Sequence, residues 1–92
     1  MDDAIKLLKL DLGVKGDARN DYYKDTLEAI ISELKKRKGI TINLDEIDDK
    51  MLVVDLAAWK IRNRDKGTAV PTNLVYAVRG RALRERSKNN AG

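Results

Sequence analysis

The chain contains neither histidine nor cysteine. Without cysteine there can be no disulfide, no thiolate nucleophile and no thiolate metal site. Without histidine there is no imidazole metal ligand and no side chain that ordinarily exchanges protons near neutral pH. Carboxylates and lysines could still catalyse, but only if burial shifted their pKa values strongly. We therefore expect no enzyme, no cofactor and no metal site.

Aromatic residues, proline and long apolar runs are also scarce. The chain has one tryptophan, three tyrosines, no phenylalanine and a single proline. No apolar run approaches the roughly 20 residues that span a bilayer. The start, MDDAIKLLKL, lacks the basic beginning and long apolar stretch of a signal peptide. Ninety-two residues can bury only one modest core. We expect a single domain over residues 1–92, made inside the cell, with no membrane partner.

Four segments carry apolar residues at helical spacing. They predict helices over about 3–10, 21–38, 48–66 and 72–87, followed by a frayed tail at 88–92. The third segment, MLVVDLAAWKI, is apolar nearly all round and is typical of a central helix. The short stretch Ile40–Ile42 could be an extended linker or one edge strand. The predicted fold is all-α, a compact bundle of four or five helices around a buried third helix. The predicted core residues are Leu27, Ile30, Ile31, Leu34, Met51, Val54, Leu56, Ala58, Trp59, Ile61, Leu74 and Val78.

Charge is distributed unevenly along the chain. Residues 1–49 hold 9 basic and 12 acidic side chains, whereas residues 50–92 hold 10 basic and 3 acidic ones. The two halves therefore carry about −3 and +7, which add up to the net charge of +4. Such asymmetry indicates two surfaces that meet different partners.

The acidic stretch Asp45–Asp49 is a weak metal candidate. A calcium loop needs oxygen ligands at alternating positions and a glycine turn, and both are missing here. We interpret the stretch as the acidic start of the third helix, with Asp48 or Asp49 as its cap. Two further patterns are also interpreted structurally. The Lys35–Lys38 run matches the dipole of a helix end. The glycines at 13 and 16 lack the pattern of a phosphate loop.

The last predicted helix, in VPTNLVYAVRGRALRERSKNN, changes character halfway along its length. Its apolar residues end and basic residues take over, which gives an extended basic C-terminal helix. Three explanations are open: this half binds nucleic acid, binds another protein, or is only a solvated tail. The candidate partner-binding residues are Arg79, Arg81, Leu83, Arg84, Arg86 and Lys88.

Two segments, MLVVDLAAWKIRNRDKG at 51–67 and VPTNLVYAVRGRAL at 70–83, together resemble a known family. They are similar to the last two helices of the head–tail connector proteins of tailed bacteriophages, also called adaptor or head-completion proteins. The first segment matches the form MLVV-x-x-AAW-x-x-R-x-R. The second matches P-x-x-L-x-Y-x-[IV]-x-x-R. The resemblance covers about the last 40 residues and is loose over the first half.

The resemblance implies a structural role in the virion, at the interface between head and tail. Such proteins assemble as a ring, here expected to be dodecameric, beneath the portal protein after DNA packaging. The ring extends the channel for double-stranded DNA without sequence-specific binding and offers a platform for a stopper or tail-completion protein. In relatives the C-terminal segment reaches onto the portal. The stretch from Arg79 to Lys88 would then contact the portal.

Two other functions are kept open. The runner-up is a small helical DNA-binding protein, such as a phage regulator or a packaging subunit, with Thr72 and Asn73 at the start of its last helix. The third is a monomeric protein-interaction module of the host. Many arginines lining a channel would hold DNA phosphates. We therefore expect the basic helix to face the portal and neighbouring subunits more than the lumen.

Overall fold

The computed structural model describes residues 1–90, which form four α-helices and no strand, and describes their side chains as far as Lys88. The helices are α1 (Asp2–Leu12), α2 (Asn20–Lys38), α3 (Ile47–Asn63) and α4 (Thr72–Asn90). The predicted all-α class is confirmed. The stretch Ile40–Ile42 is part of a linker. The tail predicted to fray at 88–92 is helical as far as Asn90, and residues 91–92 lie outside the described part.

The first two helices end at glycines in the left-handed conformation. Gly13 has φ 74° and Gly39 has φ 67°, a region that side chains other than glycine rarely adopt. Beyond Gly39 the backbone N–H of Ile40 donates to the Leu34 carbonyl at 3.2 Å. The N–H of Gly39 donates to the Lys35 carbonyl at 3.1 Å, which is the hydrogen bond of the αL capping motif. The motif turns the chain back on α2, and the side chain of Ile40 is fully buried.

Helix α3 ends three residues earlier than the sequence predicts. The side-chain amide of Asn63 donates to the Trp59 carbonyl at 2.9 Å. Such bonds from asparagine to a nearby carbonyl compete with the continuing helix. A turn follows, in which the N–H of Lys66 donates to the Asn63 carbonyl at 3.1 Å. Gly67 comes later in the same connection, with φ 58°.

Helix α3 is the element on which the others meet. Helices α1, α2 and α4 each pack against it, and α1 also packs against α2. Its buried residues are Asp49, Leu52, Val53, Val54, Ala57 and Ala58. Because two of these are alanines, neighbouring helices can approach closely at that level. All but one are apolar, and the exception, Asp49, bears on the candidate site.

The predicted core residues fall into three groups. Six are buried: Leu27, Ile30, Leu34, Val54, Ala58 and Leu74. Five are partly buried: Ile31, Leu56, Trp59, Ile61 and Val78. Met51 was predicted in the core and is instead 38% exposed, because α3 turns this side of its first two turns towards solvent. The prediction omitted seven buried hydrophobic residues, which are Ala4, Leu8, Tyr23, Ile40, Leu52, Val53 and Ala57.

Two arginines of the family-like motif attach the end of α3 to the helices beside it. Arg62 forms an ion pair with Asp11 at 3.0 Å and a hydrogen bond to the Asp11 carbonyl. Arg64 donates to the Tyr22 hydroxyl at 3.1 Å, with its guanidinium 5.8 Å from the centre of the Tyr22 ring. Exposed contacts of this kind contribute little stability singly. Their effect is to fix the direction in which the chain leaves α3.

Helix α1 offers a matched test of the core. Leu8 is fully buried and Leu10 is 70% exposed in the same helix. We expect Leu8→Ala to lower the free energy of unfolding by about 2–5 kcal/mol through lost burial and the cavity left behind. Leu10→Ala should leave it nearly unchanged. Urea unfolding followed by circular dichroism measures both, and equal effects would contradict the packing of α1 through Leu8.

Candidate functional site

The buried side of α4 changes from apolar to charged along its length. Leu74 and Val78 face the other helices, and the residues that continue their line at helical spacing are Arg81 and Glu85. Both are buried, with 7% and 8% of their surface exposed. The second half of α4 therefore does bury one face within the subunit, and the residues it buries are ionised.

Arg81 binds Asp49 of α3 through two hydrogen bonds. The Nε of Arg81 donates to Asp49 Oδ1 at 2.7 Å, and its Nη2 donates to Oδ2 at 3.2 Å. The Asp49 side chain is 1% exposed, so the pair is closed off from solvent. A planar guanidinium matches a carboxylate in this two-point geometry. The pair therefore fixes both the separation of α3 and α4 and the position of one along the other.

The same group of side chains holds the linker between α2 and α3. Arg81 Nη2 donates to the Thr41 carbonyl at 2.8 Å, and the N–H of Thr41 donates to Glu85 Oε1 at 2.7 Å. The N–H of Asn43 donates to Asp49 Oδ2 at 2.9 Å. The backbone groups of this linker that are partly withdrawn from water have no strand partner and need other partners. Here ionised side chains of α3 and α4 supply them.

The pKa values of the network follow from these contacts. Burial acts to raise the pKa of Asp49, but hydrogen bonds from Arg81 and the Asn43 N–H, with the charges of Arg81 and Arg84, hold it below its ordinary value of 3.8. The bond from the Thr41 N–H likewise lowers the pKa of Glu85. Hydrogen bonding to Asp49 raises the pKa of Arg81. All three groups are therefore ionised at neutral pH, and neither carboxylate is suited to accept a proton there.

The predicted role of Arg81 as a partner contact is wrong. Its side chain is 5% exposed and faces Asp49, so it is not free to meet another molecule. Arg84 is less available to a partner molecule than its sequence position indicates, because it already contacts two carboxylates. Its Nη2 lies 3.0 Å from Asp49 Oδ1 and 3.8 Å from Glu46 Oε2. The remaining candidates, Arg79, Leu83, Arg86 and Lys88, are exposed.

Asp49 and Glu85 are the residues of this buried network that the sequence analysis missed. Asp49 was expected to cap or begin α3 at the surface, but the N-cap position is Glu46 and Asp49 lies a turn further on. A signal was present: Asp49 precedes Leu52 and Val53 by three and four residues, which places it on a buried face. Arg81 and Glu85 likewise continue the line of Leu74 at helical spacing.

The opposite side of α4 carries large exposed side chains, and we call it the outer face of α4: Tyr76, Arg79, Leu83 and Arg86. Tyr76 is 62% exposed and Leu83 is 60% exposed, seven residues apart. Between them, Gly80 has no atom within 4 Å of where a Cβ would be, apart from its own helix backbone and chain neighbours. The subunit therefore leaves this face uncovered.

A groove with an apolar floor opens between α2, α3 and α4, beside the outer face of α4. Its volume is about 550 Å³. Leu56, Trp59 and Val75 contribute to its floor, and Lys60 and Arg79 are among the basic residues around it. We call it the α2–α4 groove. Trp59, predicted as plain core, is only partly buried because it borders this opening.

Comparison with known protein families, curated proteins and solved structures finds no match for this chain. Within residues 1–90 no three acidic side chains converge in a way that could hold a metal ion. None of the described helices is both long and apolar enough to cross a membrane.

The ion pair can be tested with two arginines of the same helix. We expect Arg81→Ala to lower the free energy of unfolding by about 3–5 kcal/mol, because it removes both hydrogen bonds of Arg81 to the buried Asp49 and leaves only the more exposed Arg84 beside that carboxylate. Arg86→Ala removes an exposed arginine of α4 and should have little effect. Urea unfolding at neutral pH measures the difference. Similar values for the two variants would contradict the buried position of Arg81.

The lowered pKa of Asp49 predicts a pH dependence of stability. A carboxylate with a lower pKa in the folded state stabilises the fold above its unfolded pKa of roughly 4, and this stabilisation is lost as pH falls through the folded pKa. We expect the free energy of unfolding to decline below about pH 4. The decline should be shallower in Asp49→Asn than in Asp48→Asn, its exposed neighbour. Equal slopes in urea titrations at several pH values would argue against the assignment.

Proposed function

We propose that this chain is a structural protein of a tailed-bacteriophage virion. It would be a subunit of a dodecameric ring at the head–tail interface, made in the cytoplasm of the bacterial host. The ring would dock beneath the portal protein, extend the DNA channel and provide the platform for a stopper or tail-completion protein. In this proposal α1, α2 and α4 form a compact bundle around α3.

The outer face of α4 is the observation that carries the proposal. A subunit that worked alone would have no use for Tyr76 and Leu83 exposed along one side of its last helix, with arginines beside them. Aromatic side chains and arginine are enriched at protein interfaces. This supports protein partners for α4, with Arg79, Leu83, Arg86 and Lys88 as the portal-contacting residues. Arg81 is no longer counted among the portal-contacting residues, because it is buried.

The residues behind the family resemblance support the same proposal. Arg62, Arg64 and Arg81, three basic residues of the matched pattern, all have partners within the chain. In this chain these contacts specify how the last two helices are joined and placed. This placement therefore supports a shared subunit architecture, and the connector role follows from that architecture by analogy.

The site also favours a structural role over a catalytic one. The buried ionised groups Asp49, Arg81 and Glu85 are bound to one another and to the backbone of the linker. Their contacts lower the pKa values of Asp49 and Glu85. A carboxyl group that acts as a general acid or base near neutral pH needs a raised pKa instead.

DNA binding is the second candidate, and one observation favours it. Lys38, Lys60 and Arg79 lie around a single groove, and a cluster of this kind could contact phosphates. The burial of Arg81 and the engagement of Arg84 weaken this candidate, because α4 then offers fewer free cations than its sequence indicates. It is therefore retained as the alternative that the experiment must exclude.

The mass of the purified protein in solution tests the proposal. A dodecamer of the 10.4 kDa chain has a mass of about 125 kDa. We expect light scattering to find a species of this order at low and at moderate salt. Short duplex DNA should leave the mass unchanged, because the channel only lets DNA pass.

The DNA-binding alternative predicts a different outcome of the same measurement. A monomer or dimer that moves onto duplex DNA, and does so less at moderate salt, would contradict the connector proposal. Arg79→Ala and Arg86→Ala would then weaken DNA binding, whereas Arg81→Ala would act only through folding. The exposed Lys36 provides a control for a non-specific loss of charge, as Lys36→Ala.

A further inference from the structure

The α2–α4 groove has the properties of a site for an apolar side chain flanked by carboxylates. Leu56, Trp59 and Val75 are partly buried and give it an apolar floor. Small-molecule sites add a few convergent polar groups to such a floor. Here the polar groups around the floor are mainly the ends of flexible basic side chains, which suit a protein surface better.

Most of the basic side chains around the groove have no ion-pair partner among the described residues. Arg37 is paired with Glu33 of the preceding turn at 3.5 Å. Lys38, Lys60 and Arg79 also border the groove, and none of them forms an ion pair with any side chain that the structure describes. The groove therefore has a net positive rim, and an acidic occupant would be favoured.

The chain itself carries a surface of the complementary kind. At the start of α3, Ile47 is 61% exposed and Met51, one turn later, is 38% exposed. Asp45 and Asp48 are exposed beside them, and within the described residues neither is in an ion pair. We call these four residues the acidic tip. It presents two apolar side chains between unpaired carboxylates.

The acidic tip cannot reach the groove of its own chain. At about 100° per residue, Ile47 and Met51 lie about 150° around α3 from the groove-lining residues of that helix. Ile47 and Lys60 are also about 20 Å apart along the helix axis. The two surfaces therefore face different directions at opposite ends of one helix. A contact between them needs two copies, arranged head to tail.

We propose that the acidic tip of one copy docks in the α2–α4 groove of the next copy. Ile47 and Met51 lie on the floor beside Trp59, and the carboxylates of Asp45 and Asp48 meet the basic rim. This inference rests on the proposed function, for which it assigns the contact between subunits. A contact between two different surfaces is heterologous, and repeating it closes a ring when the rotation allows.

Charge reversal on each side of the contact tests the inference. Lys60→Glu places a negative charge on the groove rim, and Asp48→Lys places a positive charge on the tip. We expect each variant alone to associate at least about tenfold more weakly than the wild type. Mixed in equal amounts, the two should associate again to within about threefold of the wild type, because the reversed charge of one variant then faces the reversed charge of the other. Sedimentation over a range of protein concentrations measures both effects.

Two controls separate loss of contact from loss of folding. Lys36→Glu makes the same charge change at an exposed position of α2 that does not line the groove, and should associate as the wild type does. Recovery in the mixture also requires that both variants are folded. If the single variants associate like the wild type, or if the mixture stays monomeric, the contact is overturned.

The outcomes also distinguish this inference from the proposed function. A wild-type ring that ignores both charge reversals overturns the tip-and-groove contact and leaves the connector proposal standing. A wild-type chain that stays monomeric at about 1 mM overturns both. Duplex DNA binding that Lys60→Glu abolishes, without self-association, assigns the groove to nucleic acid and overturns the contact.

Discussion

The pairing of Arg81 with Asp49 is the interaction on which the arrangement of this protein depends. A buried ion pair is costly to form, and an apolar pair of similar volume can be as stable or more so. The contribution of this pair is geometric, because two parallel hydrogen bonds permit only one placement of the guanidinium against the carboxylate. We interpret the pair as fixing the position of α4 along α3, while the apolar residues supply most of the stability.

The consequence of that fixed position appears on the surfaces. Because Arg81 faces Asp49, the opposite side of α4 must present Tyr76 and Leu83 to solvent. The same bonds hold Thr41 and Asn43, and so set the linker from which the acidic tip begins. The groove is bounded in part by α4 and takes its width from the same placement. One internal contact thus positions every surface that we propose for partners.

Helical spacing was enough to predict the fold class and much of the core, since a stripe such as Leu27, Ile30 and Leu34 has one plausible partner, an apolar interior. Helical spacing did not predict the burial of charged residues, whose type indicates the surface. Arg81 and Asp49 were placed at the surface because charged residues are almost never buried unless they are paired. The pairing joins residues 32 positions apart. No local pattern reveals such a partner, although the buried faces of α3 and α4 pass through both positions.

The bonds that hold the linker also impose an order on folding. Thr41 and its partner Glu85 are 44 residues apart, and contacts so distant in sequence form late because a long loop must close first. On the ribosome, α1, α2 and α3 emerge before α4. The bonds from Arg81 and Glu85 to Asp49 and the linker can therefore form only after the last helix has been synthesised. Until then the α2–α4 groove lacks the side that α4 supplies. In the proposed ring, a chain without α4 would therefore have no complete groove for the acidic tip of the next copy.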